Sequence, residues 1–331
     1  MGCNTSVPMS ESLKRRREAV MGALVGDAAC MPAHWNYDRQ KLLEILGEKK
    51  DTPEYFETPS CPFYGPKDFP GHYSTGQLSP YGEQIFGMLS LVSALPEGPL
   101  QGPEFAVSFQ QWFSSYKGRV DHATKDFLQK MEEGKTYPDC GADDNQGQCF
   151  GKVPLAVGKW KSSSDMEKNL EVMVTAHQNH DMARDCALVV ARLLQIIVDT
   201  DGFVTVGEAW SKLKEASGVP PSLSDAVTRV EASLSKPTHE MLLEYGEETA
   251  PGKAFMGLSC ANPQAFMGVL HAALNATSFE SGVRATLLAG GDNCSRATAV
   301  GALLGAVYGV PEEWKAKFAQ RGEVEGLLGK L

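Results

Sequence analysis

Three observations on the 331-residue chain predict an all-α fold, a compact orthogonal multi-helix bundle. Apolar residues recur at helical spacing along most of its length. No segment sustains the alternation of a strand, and no βαβ rhythm is present. Two stretches near opposite ends, Gly22-Ala23-Leu24-Val25-Gly26 and Gly301-Ala302-Leu303-Leu304-Gly305, place glycines four apart. Residues four apart share a helix face, and a glycine face lets another helix approach closely. Packing faces of the same kind at both ends favour one all-α domain over residues 18–331. Residues 1–17 are expected to form a flexible N-terminal tail with a basic cluster.

Taken in order, 18–29 reads as a small-residue helix that Pro32 ends. Residues 50–80 are rich in Pro, Gly, Tyr and Phe without periodicity, the mark of a long ordered loop. Segment 83–95 is helical and is closed by Pro96. Segments 104–116 and 122–133 follow, then a polar Gly-containing loop over 139–151. Helices at 166–179 and 182–199 come next, and the second is apolar nearly all round and hence central. Segments 205–217 and 222–234 flank Pro220-Pro221. Apolar helices cover 264–276 and 279–289. A Gly/Ala-rich helix over 295–308 stops at Gly309 and Pro311, and 312–320 leads into a short tail.

Composition excludes several classes. Apolar residues make up 42% and charged residues 22%, an ordinary globular balance. A formal charge of −10 argues against a broad basic face for nucleic acid. No run reaches the roughly 18 apolar residues of a membrane span; the longest, 187–198, holds Arg192 and Gln195. The eight cysteines are scattered with no CxxC, so a reduced cytoplasmic protein is expected. Cys140 and Cys149 read as unlinked thiols.

At the start, Gly2 with Ser6 fits an N-myristoylation pattern, and Cys3 is placed for palmitoylation. Lys14, Arg15, Arg16 and Arg17 add basic charge. One acyl chain gives marginal membrane affinity, and a second chain or a basic cluster makes it stable. The expectation is a cytoplasmic protein held at the cytoplasmic face of a membrane when Gly2 and Cys3 are acylated.

The sharpest internal segment is Gly290-Gly291-Asp292-Asn293-Cys294-Ser295-Arg296, between two apolar helices. The glycines permit a tight turn at positive φ. Asp292 then caps a helix, or with Ser295 offers oxygens to a hard cation such as Mg²⁺. Cys294 beside a helix start is a candidate reactive thiol. A second segment, Ser79-Pro80-Tyr81-Gly82-Glu83-Gln84, reads as a cap with Pro at N1, or as a further set of oxygen donors. Asp27, His34, Asp143, Asp144 and Asn145 cluster polar groups between apolar helices. His177 and His180 mark a helix boundary more readily than a zinc pair, because no third ligand is evident.

Taken together, these segments resemble the ADP-ribosylglycohydrolase family, and within it the crystallin J1 and selenoprotein J branch. The resemblance covers residues 18–312 and rests on 22–27 with Pro32, 28–35, 79–84, 143–146, 179–183 and 290–296. It implies an all-α bundle with a dinuclear Mg²⁺ site, acting on ADP-ribose or ADP-ribosylated substrates. By that likeness Asp27, His34 and Asp292 are the catalytic candidates. Asp292, Ser295 and Glu83 would hold metal, and Asp143, Asp144, Asn145, Gly290 and Gly291 would line the substrate. The family's Gly-Gly-Asp-Thr-Asp-Thr/Ser motif is altered here, with Asn293 in the Thr place and Cys294 in that of the second Asp. Thr-Asp-Asp-Thr falls at Tyr81-Gly82-Glu83-Gln84, and an acidic position falls at His34. Thiolate is a poor Mg²⁺ ligand, so a degraded site with one ion or none is expected. Two readings follow: a Mg-dependent glycosidic hydrolase, and a non-catalytic structural or binding protein on the same fold.

Overall fold

Ser10 opens the first helix: its hydroxyl accepts the Leu13 N–H at 3.2 Å, an N-cap that places the start well before residue 18. In the computed structural model, which describes residues 9–56, 73–96 and 98–331, the described residues form sixteen α-helices and no strand. They are α1 (Glu11–Cys30), α2 (Arg39–Leu46), α3 (Pro80–Ala94), α4 (Gly102–Ser115), α5 (His122–Glu132), α6 (Val153–Lys159), α7 (Ser163–His177) and α8 (Asp181–Asp199). After them come α9 (Val206–Glu215), α10 (Ser224–Ala232), α11 (Thr238–Thr249), α12 (Gln264–Asn275), α13 (Phe279–Ala289), α14 (Asn293–Tyr308), α15 (Glu312–Lys317) and α16 (Arg321–Leu328). The all-α architecture is as the periodicity predicts. Helices α2, α6, α11 and α16 are additions. Three of them have eight residues or fewer, too short for a period of 3.6 to declare itself.

The two glycine stretches find each other. A Cβ on Gly22 would collide with the Gly301 carbonyl oxygen, and one on Gly301 with the Gly22 carbonyl oxygen. Helices α1 and α14 therefore touch backbone to backbone at the centre, and nearly every residue of both is buried there. This crossing brings Asp27, at the end of α1, beside the start of α14.

The expected flexible tail is corrected over residues 11–17; residues 1–8 lie outside the described residues. Residues 11–17 are the first turns of α1, and Arg15 and Arg16 are buried. Arg15 donates to the carbonyls of Ile197 (3.0 Å), Thr200 (2.8 Å) and Gly202 (2.6 Å). Arg16 pairs with Asp199 at 2.6 Å and donates to the Val157 carbonyl. The C-terminal end of α8 leaves carbonyls without helical partners and carries partial negative charge, and the two guanidinium groups satisfy it. They are not available to a membrane surface. Gly2 and Cys3 lie outside the described residues. Cys140 and Cys149 are free buried thiols, as read.

Candidate functional site

The Asp27 carboxylate is fully buried at the C-terminal end of α1. Ser79 donates to it twice, from its amide (2.7 Å) and its hydroxyl (2.6 Å). The same hydroxyl caps α3, accepting the amides of Tyr81 and Gly82. The helix-cap reading of Ser79 is thus what the structure shows, with Asp27 as the cap's own support. Burial raises the Asp27 pKa to about 7, against the hydrogen bonds from Ser79, and the nearby Glu83 charge raises it further.

Gly290 and Gly291 take φ of +75° and +61° and lead into α14. A Cβ on Gly290 would stand 2.6 Å from the Asn36 carbonyl oxygen. The turn is stitched to the segment after α1: the Gly291 amide donates to the Asn36 carbonyl (2.6 Å) and the Trp35 amide to the Gly291 carbonyl (2.8 Å). Arg296, wholly buried, donates to the carbonyls of Gly290 and Leu258. These contacts engage both glycines in holding the turn.

Asp292 occupies the N-cap position of α14, yet its side chain makes no cap hydrogen bond. Its Oδ2 accepts the Ser295 hydroxyl at 2.7 Å instead. Its Oδ1 lies 3.3 Å from His34 Nε2, and both side chains are fully buried. Burial raises the Asp292 carboxyl to about 6, opposed by the Ser295 hydrogen bond, the Arg296 charge and hydrogen bonds from Trp35 and Tyr81. Burial lowers His34 to about 3, so the ring is neutral and the contact is no ion pair at physiological pH. His34 Nδ1 is 2.9 Å from Asn293 Oδ1 and 3.3 Å from the Cys294 amide. Trp35 stacks on the imidazole at 4.5 Å, Tyr81 meets it edge-on at 5.4 Å, and the Arg119 guanidinium covers Trp35 at 4.4 Å.

Glu83 sits one helical turn past Ser79. Its Oε2 accepts the hydroxyls of Tyr116 (2.5 Å) and Tyr73 (3.1 Å), and burial raises its pKa. The polar loop before α6 reaches the same place through Gly147, where a Cβ would stand 2.8 Å from Ser295 Oγ. Within that loop Asp143 is exposed. Asp144 Oδ1 accepts the Gln146 amide (2.8 Å), a local turn, and burial raises its pKa. Asn145 donates to the Asn262 carbonyl (2.9 Å), and Asn262 returns a bond to the Asn145 carbonyl (2.8 Å). Of the three, Asn145 fastens one loop to another, Asp144 closes a local turn and Asp143 stays at the surface.

Two buried groups beside this site escape a reading by motif. Lys152, wholly buried, donates to His177 Nδ1 (2.7 Å) and the Gln148 carbonyl (3.0 Å). With Nδ1 accepting, the neutral His177 carries its proton on Nε2, which faces Thr124 Oγ1 at 3.0 Å. Thr124 in turn donates to Asp121 Oδ2 at 3.0 Å. Lys152 thus reaches its carboxylate through two neutral side chains. Burial lowers Lys152 to about 8 and drives His177 down, the ammonium adding to that effect. The available signal was a lone Lys inside the apolar run around Phe150, Val153, Leu155 and Val157. His177 joins this network and no zinc pair.

The donor set does not fit magnesium. Asp292 is engaged through Oδ2 by Ser295, with His34 Nε2 packed 3.3 Å from its Oδ1 without a hydrogen bond between them, Asp27 by Ser79, and Glu83 by two tyrosines. Among the described residues, no group of three or more His, Cys, Asp or Glu side chains is placed to hold a metal ion. Mg²⁺ demands near-octahedral oxygen coordination, and a neutral imidazole against the key carboxylate opposes it. These contacts do not favour Asp292, Ser295 and Glu83 as a magnesium ligand set. Nor is the reactive thiol favoured: Cys294 is wholly buried, its Sγ points to the Asp27 carbonyl (3.6 Å), and burial pushes its pKa well up. Desolvation outweighs the helix start that would lower it. Of the predicted catalytic trio, His34 and Asp292 meet, Asp27 turns to Ser79, and all three are out of solvent.

Known proteins agree with this architecture. The chain is similar to crystallin J1A of Tripedalia cystophora, 26% identical over 94% of each chain, and to crystallin J1B of the same organism, 25% identical over 95% of each. Its fold matches a solved chain described as an ADP-ribosylglycohydrolase-related protein complex, with a TM-score of 0.67, 19% identity, and coverage of 97% of this chain and 98% of that one. The family model of the ADP-ribosylglycohydrolases matches residues 9–331, nearly the whole length, and the chain belongs to that family.

Proposed function

We propose that this chain is a non-catalytic member of its family, a structural or binding protein on the ADP-ribosylglycohydrolase fold. The observation that carries the reading is the closed pair of His34 and Asp292, both without solvent exposure. A glycosidic bond cannot reach a carboxylate that is covered by an imidazole, a tryptophan and a tyrosine. The curated relatives, named as crystallins, support the same reading. The test is hydrolysis of an ADP-ribosylated peptide with and without Mg²⁺, beside calorimetric titration with ADP-ribose. No turnover above blank is expected. Turnover that disappears in Asp292→Asn overturns the reading.

One observation favours hydrolysis as the second reading. Asp27 and Asp292 titrate near neutrality, the range suited to general acid and base work. Under that reading the Asp27→Asn variant loses activity at neutral pH without added metal.

Membrane attachment through Gly2 and Cys3 is likewise a proposal, supported by the sequence pattern and working without Arg15 and Arg16. Gly2→Ala should release the protein in cell fractionation. Wild-type protein wholly soluble with an unmodified N-terminus would remove it.

A further inference from the structure

We propose that His34 is a built-in substitute for a bound cation, and that its ring is what keeps divalent metal away from Asp292. The inference deepens the non-catalytic reading and rests on it. Asp292 Oδ2 is engaged by Ser295 at 2.7 Å, so Oδ1 is the oxygen left to meet an incoming ion, and His34 Nε2 stands 3.3 Å from it. The main chain that carries the imidazole is fixed. The His34 amide donates to the Met31 carbonyl (3.1 Å), and the next amide, of Trp35, donates to Gly291 (2.8 Å). Trp35 and Tyr81 hold the ring on two sides, and Nδ1 lies within reach of Asn293 Oδ1 and the Cys294 amide, one of which it bonds in either tautomer.

Charge argues the same way. A buried carboxylate needs compensation, and here hydrogen bonds and the buried Arg296 supply it. A dication would need further anionic oxygens, yet Asp27 already accepts two bonds from Ser79. A nitrogen in place of an oxygen also disfavours Mg²⁺ over softer ions. One side chain thus fills the space, lacks the charge and offers the wrong donor.

The test titrates the full chain with MgCl₂ and MnCl₂ alone, read by calorimetry and by metal-induced shift in melting temperature. Wild type and His34→Gln, whose amide preserves a donor without adding charge, should show no saturable binding that depends on Asp292. His34→Glu adds a carboxylate where the ring was. It should bind at least about tenfold tighter than wild type, equal to about 1.4 kcal/mol, and lose that gain when combined with Asp292→Asn. His34→Ala, which opens Oδ1, should move in the same direction and decides the matter where circular dichroism shows His34→Glu unfolded. The idea is overturned if wild type binds metal in an Asp292-dependent way, or if folded His34→Glu and His34→Ala bind no better than wild type. Metal-free turnover by wild type would sink the non-catalytic reading while leaving this role for His34 intact.

Discussion

Two buried histidines, His34 and His177, differ in their nearest charged partner and reach the same protonation state. His34 faces a carboxylate, which ordinarily draws a proton onto imidazole. His177 faces an ammonium, which repels one. Both pKa values fall, with burial as the largest cause in each. The comparison teaches that burial sets both rings and that cations add to it in each, Arg296 and Arg119 around His34 and Lys152 beside His177. The two centres differ in how charge is balanced. Asp292 has Arg296 close by and three hydrogen-bond donors named above. Lys152 reaches Asp121 through His177 and Thr124, a chain of neutral groups.

The largest expected effect breaks the acidic centre. Arg296→Ala leaves the Gly290 and Leu258 carbonyls without their donor, opens a cavity and strips charge compensation from Asp292. Loss of about 4 kcal/mol is expected in urea unfolding, in line with other buried polar deletions. A loss under about 1 kcal/mol would show that the Gly290–Gly291 turn holds itself.

The basic centre should declare itself through pH. Folded Lys152 releases its proton at about 8, whereas the unfolded chain keeps it to the ordinary value of 10.5. Between those values the unfolded state binds more protons, so stability from this group rises as pH rises through the window. Buried cysteines and tyrosines with raised pKa values pull the other way, so the informative quantity is wild type minus Lys152→Met. That difference should grow by about 3 kcal/mol from pH 8 to 10.5. A flat difference would mean that the ammonium is fully compensated by Asp121.

A smaller pair of substitutions sharpens the contrast. Ser295→Ala removes a donor from a carboxylate and should cost about 2 kcal/mol, since bonds to charged groups are the stronger ones. Thr124→Val removes a link between neutral and charged neighbours and should cost about 1 kcal/mol. Equal losses would erase the distinction between direct and relayed compensation.

How much of this was legible depended on sequence separation. The 290–296 segment announced a tight turn and a helix start because glycine pairs and helix-start residues act over a few residues. Ser79 with Pro80 declared a cap for the same reason. The glycine spacing of α1 and α14 declared a close approach, though not that each was the other's partner. The pairing of His34 with Asp292, or of Asp27 with Ser79, leaves no local trace. That Lys152 and Arg296 are wholly out of water is decided by packing between distant segments. The tail was misjudged because the carbonyls that bind Arg15 belong to the end of α8, some 180 positions on.

By itself, then, the sequence determined most of the helices, the close-packing faces of α1 and α14, the turn at Gly290 and the family resemblance, all carried by backbone preference and short-range pattern. Tertiary structure decided which charges lie in water and which are buried together. The site's chemistry turned on that decision, because the same aspartate that could bind a cation when open is occupied when a neutral imidazole is folded against it.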